Sequence, residues 1–226
     1  MSGRCRRSRE RSSGMKNMTI GGRLTALCGV ALAAVAGIGL CGYFGSRGIA
    51  AGISQTADKS VALRNVVEID MMHDALRGDV LAAMLTTNAD ERKTVEADLA
   101  DHCTTIRERL AALDDCGLTG KAADAVQAAR GPLEAYTKAA EEIIAAAGKS
   151  PDQAKAGMPA FLDAFSHLET ANEQLSDEVE RAVQEATDQQ AAAMESFRRM
   201  NLALCGISFV VLGAVSFLIA RSIRRP

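Results

Sequence analysis

The side chains here that could do chemistry by type are three imidazoles, His73, His102 and His167, and a guanidinium, Arg77, flanked by Asp74 and Asp79. Imidazoles converging from different helices could hold a metal or a haem. Arg77 has a bland reading, an ion pair with Asp74 or Asp79 on a solvated face, and a sharper one, because its planar fork suits a carboxylate. Arg64 is a weaker candidate of the same kind. No nucleotide loop, HExxH, nucleophile elbow or CxxC pair occurs. No enzymatic activity, cofactor or nucleic-acid partner is therefore expected. The acidic residues are spread as solvated helix faces would spread them. Cys28, Cys41 and Cys205 fall in apolar runs, and Cys5 lies in a basic extension. Cys103 and Cys116, on one expected helix, would stand roughly 20 Å apart, too far for a disulfide within the chain.

Whether these groups meet depends on the elements that carry them. Between Gly45 and Arg199 almost nothing suggests strand: aromatics are 4% and Trp is absent. The punctuation is Asn88-Ala89-Asp90, then Cys116-Gly117 with Gly120, then Gly148-Lys149-Ser150-Pro151. It divides the region into helices of about 43, 26, 28 and 45 residues, with Asn88, Thr119 and Ser150 placed to cap and Pro151 in a first turn. A Gly157-Met158-Pro159 interruption is expected near the start of the fourth helix.

Apolar residues recur at 4-3 spacing in all four. The first helix gives Ala62, Val66, Ile69, His73, Leu76, Val80 and Ala83. The second gives Leu99, Cys103, Ile106, Leu110 and Leu113. The third gives Ala122, Val126, Ala129, Leu133, Tyr136, Ala140, Ile143 and Ala147. The fourth runs from Phe161 and Phe165 through Leu168, Asn172, Leu175, Val179, Ala182 and Ala186 to Gln189 and Ala193. Such seams pack helices at shallow angles, and short connections make neighbours antiparallel. The fold class is all-α: an antiparallel up-and-down four-helix bundle flanked by two transmembrane helices.

Heights along the bundle follow from the rise per residue. Arg77 lies about eleven residues, or ~16 Å, below the first turn. The same level takes in His102 to Ile106, Tyr136, Thr137, and Phe165 to His167. The three histidines fall at nearly one height, yet His102 and His167 sit one step off their seams. His73 alone reads as a packed or dimer-seam side chain, so no metal is assigned.

Residues 24–44 and 200–220 each match the ~20 apolar residues that span ~30 Å of hydrocarbon, with Tyr43, Phe44 and Phe197 as interface anchors. Residues 1–23 then form a basic N-terminus, 45–199 the four-helix region between the spans and 221–226 the exit from the second span. The flanks carry +6 and +3 around a middle of −11, within a total of −2. This places both termini in the cytoplasm and the bundle outside. A cleavable signal peptide is the rival for the first span. Residues 1–14 read as low-complexity sequence, so that Met15 or Met18 would make a more natural start than Met1.

Three segments resemble methyl-accepting chemotaxis proteins. Lys16-Asn17-Met18-Thr19-Ile20-Gly21-Gly22-Arg23-Leu24 is similar to their opening, and Asp70-Met71-Met72-His73-Asp74-Ala75-Leu76-Arg77-Gly78-Asp79-Val80-Leu81 to their first outer helix. Ile219-Ala220-Arg221-Ser222-Ile223-Arg224-Arg225-Pro226 resembles the exit into a HAMP linker. The resemblance implies a homodimer in a bacterial inner membrane, with residues 45–199 as its sensor domain. It implies a second span that moves like a piston, acting on a histidine kinase through HAMP, a methylated coiled coil and an adaptor. Those cytoplasmic parts are not in this sequence, which suggests a fragment. It further implies a membrane-distal pocket across the dimer interface, with a first-helix Arg holding a carboxylate. On that footing Arg77 is the leading ligand residue, with His73, Tyr136, Thr137 and Phe165 beside it. Two other readings share the architecture: the input half of a sensor histidine kinase or nucleotide cyclase, and a structural membrane protein without a ligand.

Overall fold

The computed structural model describes residues 19–224, and every regular element among them is helical. Four α-helices follow one another: α1 Ile20–Leu85, α2 Ala89–Ala112, α3 Lys121–Ala147 and α4 Pro151–Arg224, with a 3-10 turn over Leu113–Cys116. The expectations on residues 1–18 (basic extension, start site and Cys5) and on Arg225 and Pro226 lie outside the described residues.

The boundaries have local causes. Asn88, extended at φ −87°, accepts the Asp90 N–H at 2.9 Å and opens α2, while Asp90 and Glu91 complement the positive end of its dipole. Ser150 accepts the Gln153 N–H at 3.4 Å ahead of Pro151, which starts α4. Thr119 does not cap α3. Gly120 occupies that position at φ 59°, a conformation closed to residues with a Cβ, so the chain enters the helix one residue later than expected. Gly117, at φ 63°, likewise ends the 3-10 turn. The expected interruption at Gly157-Met158-Pro159 is absent, and α4 continues through Pro159. The lost hydrogen bond is outweighed by burial of Ala154 and Phe161 on either side of it.

Ala51–Gln190 form one compact unit. Its cross-helix contacts run in opposite senses on neighbouring helices, which makes the bundle up-and-down. On α1 and α4, His73 faces Phe165 and Thr56 bonds Gln190 at 3.0 Å. On α1 and α2, Asp79 meets His102 and Asn65 meets Cys116. On α2 and α3, Arg107 bonds Glu141 and Arg130 bonds Asp114. Arg92 closes the tip by donating to Ala147 O at 2.9 Å and Thr86 O at 3.5 Å, satisfying carbonyls at two helix ends.

All seven α1 and all eight α3 seam positions are buried. In α4 the seam is buried or half-buried from Phe161 to Ala186, but Gln189 and Ala193 are exposed. There α2 and α3 no longer flank the helix, because the Asn65–Cys116 contact places their connection far above. Gly157 faces Ile143 so closely that a Cβ would stand 3.3 Å from its side chain, bringing α3 and α4 together at that level.

The second unit consists of the flanking segments up to Ala50 and from Ala191 onward. Both helices there are long and apolar enough to cross a membrane, and their apolar windows are unburied. Leu32, Val35, Phe209 and Val210 all face outward, as lipid-facing side chains do. The Phe197 ring lies where a Cβ on Gly45 would be, so glycine is what lets the two helices approach at this point.

Candidate functional site

An aromatic layer crosses the bundle at the level of Arg77. Tyr136 (α3) and Phe161 (α4) are fully buried and stack at 5.1 Å. Half-buried Phe165 (α4) lies 5.9 Å from Tyr136 and 5.3 Å from the His73 imidazole (α1). The Tyr136 hydroxyl donates to His73 O at 2.7 Å, meeting the demand that a buried phenol find a partner. Burial, with Asp74 adding to it, pushes the Tyr136 phenol above its ordinary range. His73 is held by Asp70 O through Nδ1 and lies 3.7 Å from Asp74 through Nε2.

Arg77 stands on the outer edge of this layer. Its guanidinium lies over the Phe165 ring, 4.7 Å from the centroid, in cation–π geometry. The side chain is exposed and has no ion pair among the described residues. Its two acidic neighbours are directed elsewhere, Asp74 toward His73 and Asp79 toward His102. Arg64, lower on α1, is bonded to Glu68 at 3.0 Å.

Of the expected group, the fold brings His73, Arg77, Tyr136 and Phe165 together. Thr137 is buried but faces the other way, lining a cleft between α2 and α3, and its hydroxyl donates back to Leu133 O at 3.0 Å. The imidazoles do not gather. His102 pairs with Asp79, exposed His167 lies 3.7 Å from Asp163 on its own helix, and no group of metal-ligating side chains forms among the described residues.

Two buried polar features had no clear sequence signal. Asp79 Oδ2 accepts from His102 Nδ1 at 2.7 Å, tying α1 to α2. Burial raises the Asp79 carboxyl, against the opposing pull of the His102 hydrogen bond and charge. Asn172, in the α4 seam, donates to Asp70 Oδ1 at 3.2 Å, while its own Oδ1 has no partner among the described residues. The Asn was visible as a polar residue in an apolar seam; what it would bond was not. Cys103 and Cys116 are buried free thiols, both raised by burial, Cys103 to about 11.

The described residues thus form a helical bundle with an exposed cation at the edge of an aromatic layer, on a chain with two helices long and apolar enough to cross a membrane. Comparison with known families agrees: the chain belongs to the family described as a four helix bundle sensory module for signal transduction, which matches residues 17–197. No curated protein and no solved structure matches the chain.

Proposed function

We propose that this chain is the sensory half of a chemoreceptor that takes a small carboxylated solute at Arg77. It signals by moving α4 and does no chemistry on what it binds. The observation that carries the reading is the state of Arg77. Its guanidinium is exposed and free of ion pairs among the described residues; of the carboxylates beside it in sequence, Asp79 is bonded to His102 and Asp74 points to the His73 side, 3.7 Å from its ring. A free planar fork over an aromatic ring is ready for a carboxylate, with the aromatic edge covering the solute's apolar part. His73, Tyr136 and Phe165 set that edge.

The bundle lies outside the cell membrane and both termini inside, in keeping with the basic flanks and acidic middle. The receptor works as a homodimer. Val67, Met71, Leu81 and Leu85 recur on α1 at a heptad-like spacing, each about half exposed or more, and a second copy would cover this seam. The signal passes to a HAMP unit and, through an adaptor, to a histidine kinase.

The test is thermal unfolding of the full chain in detergent against a panel of amino acids and organic acids. A solute at about 100 times its Kd adds about 2.7 kcal/mol, and the shift disappears in Arg77→Ala. A shift with an aliphatic amino acid or a dicarboxylate that survives Arg77→Ala, or no shift with any carboxylated solute, overturns the assignment.

A further inference from the structure

A second place to bind lies on the opposite side of the bundle from the α1 seam. Between α2 and α3 runs a cleft of about 460 Å³, within the ~300–1,000 Å³ of small-molecule sites. Its floor is apolar, built from Ile106 and Leu133, which are 1% and 2% exposed, and from half-buried Leu110. Thr137, which follows Tyr136 in the chain, also lines it.

The rim carries charge in an unequal state. At one end Arg107 bonds Glu141 at 3.1 Å, and at the other Arg130 bonds both oxygens of Asp114 at 2.6 and 2.8 Å. These pairs close the ends and leave those cations satisfied. Lys138 lies between them and has no ion pair or hydrogen bond among the described residues. A single free ammonium over an apolar floor is complementary to one negative charge on an apolar body. A second anionic group on the ligand would meet Glu134 and Glu141, which also line the cleft.

We infer that the α2–α3 cleft is a binding site for a small apolar monocarboxylate of aromatic size. The carboxylate is held by Lys138 and the body lies on Ile106, Leu110 and Leu133. The site is complete within one protomer and separate from Arg77, so it gives the receptor a second carboxylate-binding input, restricted to a single negative charge.

Fluorine NMR of 4-fluorobenzoate with the full chain in zwitterionic nanodiscs tests this directly. Its line broadens beyond that seen with empty nanodiscs. Binding weakens about tenfold in Lys138→Glu, about what the loss of one charge-assisted contact costs. Lys138 is exposed, so the fold survives the change. Leu110→Gln weakens binding too, neutral 4-fluorobenzyl alcohol binds at least about tenfold more weakly, and every comparison is read in the Arg77→Ala background, where the Arg77 edge no longer contributes and binding persists. Broadening no greater than with empty nanodiscs overturns the inference. So does binding insensitive to Lys138→Glu, or binding lost in Arg77→Ala and kept in Lys138→Glu.

Discussion

Replacing His102 by Leu strands a carboxylate. Asp79 is 9% exposed as a residue, and its Oδ2 accepts from His102 at 2.7 Å. Breaking a buried charged pair by removing one partner costs roughly 3–5 kcal/mol. The side chains here keep 24% and 12% of their exposure, so water offsets part of this and about 2–3 kcal/mol remains. For a chain of this length that lowers Tm by roughly 5–10 °C, read by circular dichroism of the full chain in detergent. The pH dependence identifies the cause. Burial already raises the Asp79 carboxyl above its model-compound value of 3.8, and His102 is what restrains it. Without His102 it rises further. The folded variant then binds a proton that the unfolded chain does not, so its stability is lost as pH rises through the folded value and recovered on acidification. The deficit is therefore largest near pH 7.5 and shrinks toward pH 4.5. Asp79→Leu combined with His102→Leu recovers much of the loss, since no orphan remains. An equal deficit at both pH values, or strict additivity of the two single changes, would show that loss of His102 does not orphan Asp79.

Three further outcomes follow from buried or exposed groups. Asn172→Leu, which removes an oxygen with no partner from an apolar seam, raises stability by about 1 kcal/mol in thermal melts; a loss of stability would show that Asn172 is satisfied. Cys103, with a thiol raised from 9.0 to about 11, favours the folded chain fully below pH 9 and loses that advantage as pH climbs. Between pH 8 and 10.5 the wild type loses about 2 kcal/mol more than Cys103→Ala, whereas equal losses would contradict the burial argument. Met71→Asp with Leu81→Asp, both on the exposed α1 seam, converts the proposed dimer to monomer in light scattering while the helix content stays constant; an unchanged mass excludes this seam as the interface.

Periodicity carried most of the bundle. Every seam position of α3, from Ala122 to Ala147, is buried, because a 4-3 repeat of apolar residues leaves an amphipathic helix one way to face. Heights were legible for the same reason: a constant rise puts His73, Tyr136 and Phe165 at one level. Facing was not. Asp79 precedes seam residue Val80, and His102 precedes seam residue Cys103. Whether two side chains one step off their seams turn toward each other or toward solvent depends on how each helix is rotated about its axis. Thr137 illustrates the same gap, since it follows Tyr136 by one residue and faces the α2 side instead of the aromatic layer. The α3 start was misjudged because Thr119 is a good capping residue, while the positive φ of Gly120 is a property of the loop.

The most direct test of the whole account joins this chain in frame to the cytoplasmic part of a chemoreceptor and measures kinase output as the solute found by thermal shift is added. A dose-dependent change in output, abolished by Arg77→Ala while the hybrid still inserts in the membrane, is the expected result of signalling through Arg77. Binding with no change in output, or a response untouched by Arg77→Ala, would contradict it.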